Sequence, residues 1–363
     1  DGTEYLAPID SAIEDQYIGT NSLLNSYVAN NIPIENSSLF GRMVSNSITP
    51  FNLDNDELFG LNTHAFNFDA KLAADYFEKV CGEDVKKIDA VVKDISLDEK
   101  GFVSKVTLDN GEEISADFFI DATGFARLLP NKMGIKYIEY PELTLNAALP
   151  FVLPHGTETP KLLTTTWAQK YGWMWQIPTT KRMGCGYVYD SNFINADQAQ
   201  QEIESLLGTE IEPIKNISFR PGRLETAWNK NVLSIGLSVN FFEPLEATSI
   251  HGTIMLLNLF ILNYLKDNLE RTTTENNINK FNKSVAKMYD NYKTFILLHY
   301  VTGRNDTEFW RNANSLAKQD PFVAEILEIS KTRLLNQTDL DNFYGTAGAE
   351  LHNWVLCGLG FYT

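Results

Sequence analysis

Cysteine and histidine are too scarce and too scattered to form several common kinds of site. Only three cysteines occur among 363 residues, and none belongs to a Cys-x-x-Cys pair; they are Cys81, Cys185 and Cys357. This spacing excludes a thiolate metal site and a disulfide framework, and unpaired thiols indicate a reducing compartment. The five histidines, at positions 64, 155, 251, 299 and 352, lack metal-ligand spacing. We therefore expect no bound metal.

Positively charged residues and long apolar runs are also scarce in the sequence. Lys and Arg number 30 against 47 Asp and Glu, a formal net charge of -17, which disfavours nucleic acids and anionic membrane surfaces. The longest apolar run, Ile254 to Leu265, is interrupted by two asparagines and is shorter than the roughly 20 residues of a membrane span. The chain opens with polar residues, unlike a signal peptide. We predict a cytoplasmic protein with neither a nucleic-acid nor a membrane partner.

What the sequence does contain indicates a globular protein with a large core. Hydrophobic residues make up 44% of the chain and aromatic residues 12%, and a chain of this length typically folds as about two or three structural units. Residues 1–60 are rich in Asn, Ser, Ile and Pro without sustained periodicity, which predicts loops and short helices covering a cleft. A helix follows Asp69, which is suited to capping it.

Residues 88–125 predict a β-meander that ends in a turn of small residues. Strand patterns at 90–92, 102–108 and 114–120 surround an Asp109-Asn110-Gly111 hairpin turn. The third strand runs into Asp121-Ala122-Thr123-Gly124-Phe125, and small residues in such a turn let the backbone approach a nucleotide. Taken alone, this motif is more often an ordinary strand end with a tight turn.

A second β-rich region extends from Glu139 to about Arg220. It contains strand patterns at 173–178 and 185–189, and a helix from Ala196 to Leu207 that Gly208 ends. Trp173 and Trp175 are two residues apart, so both side chains project from the same face of a strand. They predict the wall of a substrate cavity or, alternatively, a half-buried aromatic face without a binding role.

The third informative segment joins a buried strand to a long apolar helix. Residues 232–236 form the strand, and the helix begins near Ser249. Free N–H groups at a helix start carry partial positive charge and can bind an anion without any Lys or Arg. Alternatively, Thr248 or Ser249 only caps the helix, and Glu246 interacts favourably with its dipole. Beyond this helix, an apolar stripe over 278–299 and a helix after Pro321 predict a mostly helical remainder.

Seven motifs resemble those of the flavin-dependent halogenases and occur in the same order as in that family. They are His64-Ala65-Phe66-Asn67-Phe68-Asp69, Trp173-Met174-Trp175-Gln176-Ile177-Pro178, Gly186-Tyr187-Val188-Tyr189, Pro221-Gly222-Arg223 to Trp228, Ile235-Gly236-Leu237-Ser238, Phe242-Glu243-Pro244-Leu245-Glu246-Ala247-Thr248-Ser249-Ile250, and His299-Tyr300 to Asp306-Thr307-Glu308-Phe309-Trp310. In the sixth motif, Phe242 stands where the family has Leu, and Ala247 where it has Ser.

The resemblance implies a mixed α/β (α+β) fold. We expect a two-domain flavoprotein of the FAD-dependent monooxygenase or glutathione reductase type, with a second β-sheet for the substrate and a helical C-terminal part. The expected regions are a substrate-pocket cover (1–60), part of the FAD-binding domain with the β-meander (61–135), the substrate-side β-sheet (136–220), the FAD-binding strand and helix (221–265) and the helical C-terminal region (266–363).

The resemblance also implies roles for single residues. Glu246 matches the catalytic glutamate, and the amides of Thr248 and Ser249 match the halide site. The implied FAD contacts are Asp121, Thr123, Gly124, Gly236 and Leu237. The implied substrate or tunnel residues are Trp173, Trp175, Ile177, Phe242 and Tyr5.

Two parts of the family pattern do not occur in this sequence. The family begins with a strand, a Gly-x-Gly-x-x-Gly turn and a helix, which its catalytic lysine follows. The family also usually continues past the part matched by residues 354–361. We therefore expect this sequence to be part of a longer chain that carries the lysine.

The implied function is halogenation of an electron-rich aromatic compound, such as an indole, pyrrole or phenol, by FADH2, O2 and chloride, bromide or iodide. A separate flavin reductase supplies FADH2, and hypohalous acid passes Trp173 and Trp175 to reach the substrate. Residues 4–8 depart from the tryptophan-specific pattern, so we expect a substrate other than free tryptophan. Family members are often dimers, so a homo-oligomer is an open expectation.

Two alternatives compete with halogenation. The first is a flavin monooxygenase of the same fold, which inserts oxygen and needs no halide. The second is a non-catalytic binding protein that has lost its flavin site.

Overall fold

The computed structural model describes residues 28–30, 32, 39–46, 66–82, 85–156, 161, 163–265, 273–340 and 347–362. The chain forms two units. The first unit comprises residues 1–67, 142–218 and 291–363, and the second comprises 68–141 and 219–290.

The secondary structure of the described residues mixes short strands with longer helices. The strands are β1 (Val92–Leu97), β2 (Val103–Leu108), β3 (Glu113–Ile114), β4 (Phe119–Asp121), β5 (Tyr137–Glu139), β6 (Ala147–Leu153), β7 (Thr165–Ala168), β8 (Gly172–Pro178), β9 (Met183–Tyr189), β10 (Ile217–Ser218), β11 (Gly222–Leu224), β12 (Trp228–Asn229), β13 (Val232–Ser234) and β14 (Asn240–Phe241). The α-helices are α1 (Leu39–Ser45), α2 (Ala70–Cys81), α3 (Leu128–Lys132), α4 (Ala196–Leu207), α5 (Thr248–Tyr264), α6 (Glu275–Leu298), α7 (Glu308–Gln319), α8 (Pro321–Ser330) and α9 (Ala349–Gly358).

In the second unit, the predicted β-meander is present but its third strand is shorter than expected. Strands β1, β2 and β3 form an antiparallel sheet in that order, and the hairpin turn places Gly111 at φ +86°. The segment predicted as one strand over 114–120 is divided between β3 and β4, which belong to different sheets. The Asn231 side chain bonds both the N–H and the C=O of Val103, at 3.0 and 2.9 Å, and so occupies the edge of β2 that a longer third strand would need.

Strand β4 instead pairs in parallel with β13, and Ser234 lies opposite Asp121. Strand β12 pairs with the other edge of β13. Because parallel strands end at the same edge of a sheet, the turns that follow β4 and β13 are neighbours. This small sheet brings together two of the segments that the sequence singles out.

In the first unit, a five-stranded sheet has the order β10-β6-β9-β8-β7. One face packs on α4, and Met174, Tyr187, Ala199 and Ile203 belong to one buried cluster. Helix α4 has the predicted limits: Asn195 forms a capping box with Gln198, and Gly208 ends the helix in the left-handed conformation. This packing leaves the opposite face of the sheet for the tryptophans of β8.

The later helices also agree with their sequence signals. The stripe on α6 is buried at Phe281, Val285, Met288, Tyr292 and Phe295, and Asp320 caps α8 by accepting from Phe322 N and Val323 N at 3.0 and 3.1 Å. None of the helices in the described part of the chain is long and apolar enough to cross a membrane.

Candidate active site

The turns after β4 and β13 form one edge of the candidate site in the second unit. Ile235 N donates to Asp121 O at 2.9 Å, which holds the two turns together. Each turn is a 3₁₀ turn that starts at a glycine with positive φ: Gly124 at +64° and Gly236 at +59°. Other residues are strained at such φ values, so this geometry explains both glycines.

Asp121 is the acceptor that organises this edge, and its side chain is 1% exposed. Its Oδ1 accepts from Thr123 N at 2.9 Å, Thr123 Oγ1 at 2.8 Å and Ser238 Oγ at 2.6 Å, and its Oδ2 accepts from Leu129 N at 2.7 Å. The Thr123 hydroxyl in turn accepts from Leu128 N at 2.9 Å. The polar atoms of both side chains are therefore engaged within the protein.

Backbone at the two turns remains accessible. Gly124 and Gly236 are half-buried, and Leu237 is exposed. A Cβ placed on Gly124 would meet no atom within 4 Å, so there is open space beside this turn. Among the predicted FAD contacts, Gly124 therefore has open space beside it, and Gly236 and Leu237 are accessible to solvent.

The start of helix α5 follows the turn after β13 along the chain. Residues Pro244–Glu246 form a 3₁₀ turn, and Ala247 follows at φ +50° as the N-cap of α5. Its methyl group cannot cap the helix, and among the described residues no side chain bonds the first-turn amides of Thr248, Ser249 or Ile250. The N–H groups of a first helical turn have no partner within the helix, so this start is open.

Thr248 adds a buried hydroxyl to this open start. The residue is 6% exposed, and its Oγ1 is buried without a hydrogen-bond partner among the described residues. Thr248 therefore does not cap the helix, contrary to the simpler interpretation of the sequence. A buried hydroxyl and uncapped amides together are suited to a small anion.

Glu246 and Phe242 flank the turn that leads into α5. Glu246 is the last residue of the 3₁₀ turn and is half-buried. Phe242 is 1% exposed and contacts the rings of Tyr140, at 5.7 Å, and Tyr289, at 6.2 Å. Phe242 is thus packed inside the second unit, close in sequence to Glu246.

In the first unit, β8 places three of the predicted tunnel residues on one face. Trp173, Trp175 and Ile177 alternate with Met174 and Gln176 along the strand; Trp173 is buried, and Trp175 and Ile177 are half-buried. The centroids of the two indole rings are 6.0 Å apart at 58°. Trp175 lies opposite Gly186 on β9, where an added Cβ would come within 2.1 Å of the Trp175 ring. Glycine at this position therefore allows the ring to lie against the strand.

His352 and Cys185 are buried, and Cys357 is half-buried. His352 Nδ1 lies 2.9 Å from Gly348 O, and burial lowers the pKa of this imidazole to about 4. Burial raises the pKa of the Cys185 and Cys357 thiols to about 12, which keeps them protonated. In the described ranges, no group of three or more His, Cys, Asp and Glu side chains is placed to hold a metal ion.

Some predictions fall outside the described residues. These are Tyr5, His64 and most of the pocket cover predicted over 1–60. Conversely, the structure reveals a contact that the sequence did not indicate: Tyr140 Oη donates to Asp290 Oδ1 at 2.6 Å, although the two residues are 150 positions apart. Arg223, which binds the same carboxylate, belongs to one of the seven family motifs, whereas Tyr140 and Asp290 belong to none of them.

Comparison with known proteins gives consistent matches. The family described as "Tryptophan halogenase" matches residues 29–361. Tryptophan 7-halogenase KtzQ from Kutzneria sp. strain 744 is 32% identical over 327 residues, which cover 83% of this chain and 60% of KtzQ. The chain therefore spans about three fifths of the length of that relative.

Solved structures share the fold. The crystal structure of tryptophan 6-halogenase SttH from Streptomyces toxytricini matches with a TM-score of 0.85 at 24% identity, over 98% of this chain and 73% of SttH. Tar14, a tryptophan C-6 flavin-dependent halogenase from taromycin biosynthesis, matches with a TM-score of 0.86 at 25% identity, over 99% of this chain and 74% of Tar14. The expected mixed α/β flavoprotein fold is confirmed.

Proposed function

Because this chain belongs to the tryptophan halogenase family, we propose that the full-length protein is a flavin-dependent halogenase. Its substrates are FADH2, O2, a halide and an electron-rich aromatic compound such as an indole, pyrrole or phenol. The observation that carries this proposal is the open start of α5, where uncapped amides lie next to the buried, unpaired hydroxyl of Thr248.

The halide binds at that helix start. The N–H groups of Thr248 and Ser249 and the hydroxyl of Thr248 are donors, and the helix dipole adds partial positive charge. No Lys or Arg is needed, in keeping with a strongly acidic chain. Uncapped donors of this kind are better matched to a halide than to a cation.

The residues at the neighbouring turns fit a bound FAD. Gly124, Gly236 and Leu237 would hold it through their backbone, while Asp121 and Thr123 hold the two turns in place. Bound and reduced, FAD would supply, with O2, the oxidising power that converts halide to hypohalous acid. In the regional assignment that we propose, residues 61–135 and 221–265 contribute to FAD binding, and residues 136–220 to substrate binding.

Glu246 acts on the halogenation step itself. Its carboxylate positions the active halogen species or accepts the proton lost from the aromatic ring. Trp173, Trp175 and Ile177 line the path of the oxidant and keep bulk water from it.

The proposal also includes partners and location. A separate reductase supplies FADH2, as the membership of the tryptophan halogenase family implies. The protein works in the cytoplasm, where its three unpaired cysteines stay reduced. The aromatic substrate is an indole, pyrrole or phenol other than free tryptophan.

The test uses the full-length protein with FAD, a flavin reductase, NADH and a panel of indoles, pyrroles and phenols. Chloride, bromide and iodide are compared, and products are identified by mass spectrometry. We expect a product whose mass changes with the halide and which is lost when halide or reductase is omitted. Oxygenated product that forms equally without halide would replace the proposal by a monooxygenase, and the absence of both FAD binding and product would favour a binding protein.

A further inference from the structure

A three-residue ionic cluster lies beside the segment that carries Glu246. Asp290 on α6 binds Arg223 on β11 through two parallel contacts, Nε to Oδ1 at 2.9 Å and Nη2 to Oδ2 at 3.0 Å. The hydroxyl of Tyr140 donates to the same Oδ1 at 2.6 Å. The Arg223 side chain is 12% exposed, so the pair is largely shielded from solvent on the arginine side and has a fixed, bidentate geometry.

The cluster contacts this segment through a ring. Tyr140 is 6% exposed, and its ring stacks on Phe242 at 5.7 Å and 15°. Burial raises the pKa of the Tyr140 phenol, which keeps the hydroxyl a donor to Asp290. Tyr289, the residue next to Asp290, also contacts Phe242, with ring centroids 6.2 Å apart at 60°. Phe242 therefore contacts one ring that is bonded to Asp290 and another that adjoins Asp290 in sequence.

The backbone provides a second connection. Strand β11 pairs with β14, placing Gly222 opposite Phe241 and Arg223 opposite Asn240. The strand that carries Arg223 thus also fixes the backbone that enters Phe242. A short 3₁₀ turn, Pro244–Glu246, separates Phe242 from the α5 start, and the ring of Pro244 restricts its backbone. A displacement of Phe242 is therefore passed on to Glu246.

We infer that Tyr140, Arg223 and Asp290 are positioning residues, which set the placement of Glu246 and the α5 start through Phe242; the catalytic part of this inference rests on the proposed function. None of the three needs to touch the substrate. The stack on Tyr140 is a feature of this chain, because Phe242 stands where the family motif carries Leu and only an aromatic ring can stack on Tyr140.

The decisive variant is Tyr140→Phe in the full-length, FAD-loaded protein, since it removes the hydroxyl but keeps the ring. We expect kcat for halogenation to fall by about tenfold, because small misplacements of a reacting group are costly, while KM for FADH2 stays unchanged. Phe242→Leu, which keeps an apolar side chain but removes the stack, should behave alike. In a Glu246→Gln background neither substitution should reduce the rate further, because residues that act as one unit are not additive.

Independent losses that multiply in the double variants would overturn the inference, since a purely structural role affects both backgrounds equally. A matched control is Asp306→Asn, which breaks another bidentate Arg–Asp pair, with Arg304 at 2.7 and 3.0 Å and the arginine side chain 18% exposed. This control should leave kcat unchanged, whereas Asp290→Asn should lower it by about tenfold.

A second readout does not depend on halogenation. Hydrogen exchange followed by mass spectrometry should show faster exchange over residues 242–250 in Tyr140→Phe and Asp290→Asn, and no change there in Asp306→Asn. Unchanged exchange in this segment would contradict the positioning role. If the wild-type protein halogenated nothing, the proposed function would fail, and the exchange result would still decide whether the cluster positions Glu246.

Discussion

Helices α3 and α5 begin with the same backbone arrangement but present different groups to their surroundings. Each follows a 3₁₀ turn and one residue in the left-handed region, Arg127 at φ +47° before α3 and Ala247 at φ +50° before α5. Both lie in the second unit. The difference between them depends on the side chains that precede each turn.

The start of α3 is closed by the protein itself. Thr123 Oγ1 accepts from Leu128 N at 2.9 Å, Asp121 Oδ2 accepts from Leu129 N at 2.7 Å, and Pro130 has no N–H to satisfy. Both N–H groups of this first turn are therefore hydrogen-bonded within the protein. The same carboxylate also accepts from Ser238 Oγ in the turn after β13. Asp121 therefore both closes the helix start and joins the two turns.

The start of α5 has no such closure among the described residues. Because buried donors usually have partners, donors left open at one of two similar helix starts indicate a place for a ligand. Backbone shape alone therefore does not make an anion site. The difference lies in upstream side chains such as Asp121 and Thr123, which bond the first-turn amides of α3 and have no counterpart bonding those of α5 among the described residues.

The largest effect is expected from opening the closed start with Asp121→Asn. Both carboxylate oxygens accept backbone N–H groups, so either orientation of the amide places an NH2 group against a donor. The free energy of unfolding should fall by about 3 kcal/mol, measured by urea unfolding of the full-length protein. The exposed control Asp117→Asn should change it by less than about 0.5 kcal/mol; equal losses in both variants would contradict the closed start.

Glu246, next to the open start of α5, should be needed for halogenation but not for folding. Glu246→Gln should lower halogenated product by about 100-fold, while the free energy of unfolding stays within about 0.5 kcal/mol of wild type and FAD remains bound. Product per turnover is measured by mass spectrometry. Glu225→Gln, an exposed glutamate of the same unit, serves as the control, and normal turnover by Glu246→Gln would remove that residue from the mechanism.

Closing the open start should weaken halide use. Ser249→Asp places a carboxylate in the first turn of α5, where it is favoured by the helix dipole and competes with an anion. The KM for halide should rise by about tenfold, without loss of stability. Ser249→Asn is the uncharged control of similar shape, and a halide dependence that is the same in both variants would argue against an anion site here.

The smallest effect is expected from partial opening of the closed start. Thr123→Ala removes the acceptor for Leu128 N and should cost about 1 kcal/mol of unfolding free energy, as loss of a helix cap does. Thr123→Ser keeps the hydroxyl and should retain most of the stability. A loss in the serine variant equal to that in alanine would show that the methyl group, and not the hydrogen bond, is responsible.

Local signals in the sequence predicted much of the fold. Helix α4 was predicted at its observed limits because Gly208 gives a clear stop, and the strands of the Trp173 region followed from their alternation. The division of residues 114–120 could not be predicted, because it depends on Asn231, which reaches Val103 from 128 positions away. The missing caps of α5 and the Tyr140–Asp290 bond are likewise tertiary features.

The open start of α5 is tested most directly by anomalous scattering from bromide in crystals of the full-length, FAD-loaded protein. We expect a bromide peak within hydrogen-bonding distance of the amides of Thr248 and Ser249, and none at the start of α3, where Thr123 and Asp121 already accept from Leu128 and Leu129. A bromide at neither helix start, or equal occupancy at both, would contradict this expectation.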